Sequence, residues 1–262
     1  MLKTKVALFV PCLVDQAAVQ TAWATVQILE RLGIHLTYDS RQTCCGQAMF
    51  NAGYLNNARG SAEKFIRLFH DAEYIIAPSG SCVSMVKHRY ADLDLSGSFL
   101  RDWESLRLRI FELTEFLVDN LGVDDIGSKF PFKVGIHNSC HALRELGIKA
   151  QPLKLLQNVE GLTLVNEDLV DECCGFGGVF SAKYPELSAK MGKHRSQQLE
   201  IDSPEFITGV DDSCLMHLKQ AFKTNGALPG KTIPQTIHIA RILASTSSSP
   251  FDSESYSYGG EV

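Results

Sequence analysis

Eight cysteines divide into two sets that share one spacing, and no other feature of this sequence restricts its folding so strongly. Cys12, Cys44, Cys45 and Cys82 are answered by Cys140, Cys173, Cys174 and Cys214, at offsets of 128, 129, 129 and 132 residues. The surroundings repeat as well: "VALFVPC" answers "VGIHNSC", "YIIAPSGSC" answers "FITGVDDSC", and "IFELTEFLV" answers "TIHIARILA". Isolated thiols would not carry apolar runs with them, so the chain is a tandem duplication of one unit. The expected divisions are a first repeat over 1–122, a linker "VDDIGSKFPFK" over 123–133, a second repeat over 134–245, and a tail over 246–262. That tail is Ser-rich, lacks an apolar period, and reads as disordered.

Within each repeat, short apolar runs alternate with helical patterns. Residues 4–10, 34–38 and 73–77 read as strands, and 17–32, 55–70 and 111–120 as helices. The second half repeats this with strands near 133–137, 161–165 and 206–209 and helices near 151–158, 185–199 and 235–244. Such alternation predicts an α/β fold of two pseudo-symmetric βαβ repeats with short parallel sheets. Each cysteine motif follows a strand. Loops leaving the carboxyl ends of parallel strands share one edge of the sheet, so thiols far apart in sequence can meet there.

Adjacent cysteines on an extended strand would point to opposite faces, so Cys44–Cys45 and Cys173–Cys174 belong in a turn or at a helix start. Gly46 and Gly175 follow them, where a residue without a Cβ permits unusual backbone angles and brings amides close to a bulky ligand; the plainer reading is turn punctuation. A phosphate loop at "GFGG" lacks the glycine spacing of nucleotide sites.

An even cysteine count could mean four disulfides. A 262-residue chain that is 45% hydrophobic does not need them to build a core, and vicinal cysteines bridge each other only with strain. The net charge of −5 supplies no basic surface for nucleic acid. The opening "MLKTKVALFVPCLVD" is broken at Pro11 and Asp15 and reads as a first strand, not a secretion signal. With no segment long enough to insert in a bilayer, a cytoplasmic location is expected. No Ser/His/Asp triad or paired carboxylates stand out.

Soft thiolates in sets of four select iron–sulfur clusters or zinc. The wide spacing is neither a zinc knuckle nor the tight run of a bacterial ferredoxin. Three classes stay open on the residues: an electron carrier, a zinc-stabilised scaffold, and a thiol–disulfide redox protein using a vicinal pair. His137, His141 and His217 lie near cysteines and could ligate iron or donate to sulfur, but read first as neighbours of the site. His88 and His238 read as packing residues.

The doubled CCG framework resembles the cysteine-rich CCG family, whose relatives include the B subunit of heterodisulfide reductase and the iron–sulfur subunit of glycolate oxidase. The likeness spans roughly residues 4–245. "PSGSC" and "DSCLMH" resemble a lactate-utilisation branch of two-repeat proteins about this long. The resemblance implies cluster binding on all eight cysteines and electron transfer. For the lactate branch it implies work with a B-type iron–sulfur protein and a C-type protein in oxidising L-lactate to pyruvate. In heterodisulfide reductase the last element is C-x-x-C, giving five cysteines for a non-cubane cluster; here Ser79 and Asp211 take its first position. Four thiolates per repeat match an ordinary cluster, expected as one [4Fe–4S] per repeat, with zinc the alternative. Ser79 and Asp211 are expected in helix-capping or loop roles.

Overall fold

The computed structural model describes residues 5–165 and 171–250. Each half builds a four-stranded, wholly parallel sheet from the same series of elements. In the first, β1 (Val6–Leu8) leads into α1 (Cys12–Ala17) and α2 (Val19–Arg31), and β2 (Leu36–Thr37) into α3 (Gln47–Ala52) and α4 (Leu55–Phe69). Then β3 (Tyr74–Ala77) leads into α5 (Gly80–His88) and α6 (Gly97–Leu106), and β4 (Ile110–Glu112) into α7 (Leu113–Glu115). The second half runs β5 (Lys133–Ile136), α8 (Cys140–Leu146), α9 (Ala150–Gln157), β6 (Thr163–Val165), α10 (Val179–Lys183) and α11 (Pro185–Leu199). It ends with β7 (Phe206–Gly209), α12 (Asp212–Asn225), β8 (Gln235–His238) and α13 (Ile239–Ala244). The strand orders, β2-β1-β3-β4 and β6-β5-β7-β8, are the same topology twice. Among the described residues α6 and the 3-10 turn Arg89–Leu93 before it have no separate counterpart in the second half.

The duplicated α/β architecture expected from the sequence is the one observed, with one strand more in each repeat. Residues 111–120 and 235–244, read as helices throughout, begin as β4 and β8. No glycine or proline separates strand from helix at either place, so the helical period swallowed the strand. A buried side chain makes the joint instead. Glu112 Oε2 accepts from the amides of Thr114 (2.7 Å) and Glu115 (3.4 Å), and His238 Nδ1 accepts from Ala240 N (3.1 Å). The expected helix over 17–32 breaks at Ala18 into α1 and α2.

Because side chains alternate along a strand, each sheet has two apolar faces to cover. In the first repeat Ala7, Phe9, Ile75 and Ala77 face outward under α4, α5 and α6. Val6 and Ile76 face inward, into a core shared with Val134, Ile136, Phe206 and Ile237 of the second repeat. Helices fill that shared layer: α13 packs on α2, and α7 on α9, so each repeat's last helix lies against the other repeat. Each fully buried Ile or Phe there contributes ~1.5–3 kcal/mol. The segment 123–133 joins this body: Ser128 Oγ donates to Leu243 O at 2.6 Å, and Lys129 bridges to Glu160 in parallel. Of the tail, residues 251–262 lie outside the described residues.

Candidate metal centre

Three strand ends per repeat deliver the four thiols. Cys12 opens α1 directly after β1, and Cys140 opens α8 after β5. Cys82 and Cys214 sit in the first turns of α5 and α12, after β3 and β7. The vicinal pairs precede Gly46 and Gly175, whose φ values of +92° and +90° belong to glycine. A Cβ on Gly175 would meet Ser188 O and Met191 Cβ at 2.7 Å; on Gly46 it would meet Ala58 O at 3.2 Å. Both glycines therefore also let the turn press against the long helix that follows. Tyr90, fully buried, donates its hydroxyl to Cys45 O at 2.9 Å and fixes the first corner.

All eight cysteines are free thiols. In the first repeat hydrogen-bonded contacts link Cys12 to Cys44, Cys44 to Cys45, and Cys45 to Cys82. The second repeat links Cys140, Cys173, Cys174 and Cys214 in the same order. Such strings ionise unevenly. The Cys44 thiol is drawn down to about 2 by donation from Cys12 and Cys45 and from the Gly46 and Ala48 amides; the Gly46 N to Sγ distance is 3.3 Å. Cys173 is likewise drawn down to about 2 by Cys140, Cys174 and the Gly175 amide, at 3.4 Å. Cys12 and Cys140 are pushed far up, because their protons are held by that neighbouring thiolate and burial disfavours a second charge. A soft cation would relieve the repulsion and ionise the rest.

Both quartets line one cavity of about 240 Å³, together with Ser79, Ser81 and Asp211. A zinc ion held at ~2.3 Å by four sulfurs would draw them within about 4 Å of one another. Among the described residues, the group of three or more candidate ligand atoms mutually within 4.8 Å is His137, Cys174 and Cys214, so neither quartet is closed that tightly. The donors fit a soft metal centre.

Ser79 caps α5, its hydroxyl accepting from Cys82 N at 3.3 Å, as expected. Asp211 stands at the matching position before α12 but does not cap it. Its buried carboxylate crosses to the first repeat, accepting from Ser79 Oγ (2.8 Å), Ser81 Oγ (2.8 Å) and Ser81 N (3.2 Å), and also takes a bond from Ser139 Oγ (2.6 Å). Ser139 immediately precedes Cys140, so Asp211 ties the cysteine loops of both repeats together. Close approach at this seam needs Gly80, where a Cβ would meet Ala142 Cβ at 2.7 Å. Sequence reasoning found both residues but not their bond, since no local pattern joins positions 132 apart.

The histidines separate. His141 Nδ1 lies 3.7 Å from Cys140 Sγ. His217 Nε2 lies near Ser188, at 3.4 Å, with its ring against Phe176. His88 is exposed and His238 is buried in its capping role. His137 is 2% exposed, and its Nδ1 accepts from Arg195 Nε at 3.3 Å. Burial and the nearby guanidinium hold its pKa down to about 3, so the ring is neutral.

With this geometry in hand, the comparison with known families is decisive: the cysteine-rich CCG domain pattern matches twice, over residues 6–87 and 134–219. The chain belongs to the CCG cysteine-rich family. Each match covers one quartet, so the structural duplication is a duplication of the CCG unit. Similar curated proteins are lactate utilization protein A of Oceanobacillus iheyensis, 41% identical over 91% of this chain and 96% of its own, and lactate utilization protein A of an Exiguobacterium species, 43% identical over 91% and 96%. Among solved structures, a hypothetical protein from Helicobacter pylori shares the fold at a TM-score of 0.60 and 14% identity; 92% of this chain covers 48% of that one. No helix among the described residues is long and apolar enough to cross a membrane.

Proposed function

We propose that this chain is an iron–sulfur electron-transfer subunit in lactate utilisation, holding one [4Fe–4S] cluster per CCG repeat. Cys12, Cys44, Cys45 and Cys82 hold the first, and Cys140, Cys173, Cys174 and Cys214 the second. The observation that carries this reading is that both thiol quartets, eight soft donors, line one cavity. Bound clusters would each accept and release one electron. Oxidising L-lactate to pyruvate releases two electrons and two protons, so paired centres on one chain can hold both electrons before passing them on. The similarity to curated proteins named for lactate utilisation supports lactate as the substrate in this reading. A B-type iron–sulfur protein and a C-type protein complete the cytoplasmic assembly in this reading.

The chain's own part is to bind, space and insulate the centres. The Gly46 and Gly175 amides donate to coordinating sulfur, Ser79 orders the helix bearing Cys82, and Asp211 keeps the two cysteine corners in fixed relation. The test is anaerobic reconstitution followed by reductive titration. Two one-electron centres per chain support the proposal. Bound zinc with a colourless, redox-silent protein would replace it with the scaffold reading, and readily alkylated thiols without metal with the thiol–disulfide reading.

A further inference from the structure

Besides Ser79 and Asp211, the two repeats differ at a further buried place beside their cysteines. Phe9 and His137 occupy equivalent positions, three residues before the first cysteine of each quartet. Their backbones make the same bond, Phe9 N to Ile76 O at 2.9 Å and His137 N to Thr208 O at 2.8 Å. Phe65 and Arg195 are equivalent too, each the eleventh residue of a 15-residue helix, α4 or α11. In the first repeat Phe9 and Phe65 stack edge to face at 4.9 Å, a wholly apolar pair. In the second, His137 and Arg195 replace them with a hydrogen-bonded polar pair, 2% and 1% exposed.

That pair has a defined polarity. A guanidinium only donates, so His137 Nδ1, which accepts from it, carries no proton, and the neutral ring has its N–H at Nε2. Nε2 is buried and has no hydrogen-bond partner among the described residues. A ring nitrogen of His137 lies within 4.8 Å of the sulfurs of both Cys174 and Cys214. Direct ligation fits this poorly. A metal-bound histidine gives its other N–H to an acceptor, and here the other nitrogen faces a donor.

We propose that His137, oriented by Arg195, donates its Nε2–H to sulfur of the second repeat's centre and makes that centre the more easily reduced of the two. The inference rests on the iron–sulfur reading above. Reduction adds negative charge to the cluster and its sulfurs, so an N–H donor and a buried guanidinium both favour the reduced form. Among the described residues the first repeat offers an apolar wall at the same place. Phe176 N, 3.5 Å from Cys174 Sγ, adds a donor on the same side. Electrons entering the chain therefore settle first in the second repeat. His137 and Arg195 are positioning residues, not ligands.

The test is an EPR-monitored potentiometric titration of anaerobically reconstituted protein, with iron and sulfide counted in each sample. Wild type is expected to show two centres of unequal potential. His137→Phe paired with Arg195→Phe, which installs the first repeat's apolar pair, should leave iron and sulfide unchanged. It should lower the reduced-to-oxidised ratio of the more easily reduced centre about tenfold at fixed potential, about 59 mV for one electron, and leave the other unmoved. His137→Gln, which keeps an N–H donor, should recover part of the shift. A readout that does not depend on these variants folding is the reduced wild type carrying 15N-histidine. Weak 15N coupling on the more easily reduced centre that persists in His141→Ala, which removes the ring beside Cys140 Sγ, supports the proposal. Strong coupling typical of a directly bound nitrogen, no histidine coupling at all, or unmoved potentials in loaded variants each overturn it. Wild type that binds no iron and sulfide would instead sink the iron–sulfur reading itself, and this inference with it.

Discussion

Replacing Asp211 with alanine removes the junction between the two cysteine corners. The carboxylate is 2% exposed and takes four hydrogen bonds, from Ser79 Oγ, Ser81 Oγ, Ser81 N and Ser139 Oγ, at 2.6–3.2 Å. Bonds to a charged group contribute ~1.5–3 kcal/mol each, but they are not additive, and burying the carboxylate already costs part of that. The three hydroxyls can turn toward other acceptors; Ser79 and Ser81 already lie 3.2 Å apart. The Ser81 amide cannot turn, and leaving it unsatisfied costs ~1–3 kcal/mol. The net expectation is a loss of about 3–5 kcal/mol, a large part of a typical domain's stability. Asp211→Asn keeps one acceptor oxygen and should lose about 1–2 kcal/mol, and Ser139→Ala about 1 kcal/mol. Anaerobic urea unfolding followed by far-UV circular dichroism and tryptophan fluorescence measures all three. Coincident transitions would license the comparison. A loss below about 1 kcal/mol for Asp211→Ala would refute the view that this carboxylate holds the seam together.

Glu112 should give the protein a pH-dependent stability. Burial raises its carboxyl from 4.5 to about 8, so the folded state holds the proton more tightly than the unfolded chain. Its contribution is complete below about pH 4.5 and is lost as pH rises toward 8, with a slope of up to ~1.4 kcal/mol per pH unit. Glu112→Gln should flatten that slope in unfolding experiments between pH 5.5 and 8.5, and parallel curves for the two proteins would contradict the assignment. Gly175→Ala should destabilise more than Gly46→Ala, because both positions need positive φ but only Gly175 would press a Cβ to 2.7 Å from a backbone oxygen. Expected losses are about 3 and about 1–2 kcal/mol, and equal effects would show that the close approach to α11 is not limiting.

The duplication and the convergence of the cysteines were legible because both follow from spacing and from the handedness of parallel βαβ units. Once Cys12, Cys44, Cys45 and Cys82 each follow a strand of one sheet, topology brings them to one edge. Strands β4 and β8 were not legible, since Glu112 and His238 are cap residues only by virtue of burial, which the helical period hides. The Asp211 junction joins side chains that only the packing of α5 against α8 makes neighbours. Of the exchange of Phe9–Phe65 for His137–Arg195, only Phe9 against His137 shows in the aligned segments "VALFVPC" and "VGIHNSC". Its meaning needed the bond between them and the nearness of Cys174 and Cys214.

The most direct measurement is the iron and acid-labile sulfide content of anaerobically reconstituted wild type beside Cys45→Ser and Cys174→Ser. With a cluster in each repeat, wild type should hold about eight of each per chain, and either substitution should remove about half while sparing the other repeat's spectrum. Stoichiometric zinc without sulfide, or loss of both centres with either single substitution, would contradict two independent CCG sites.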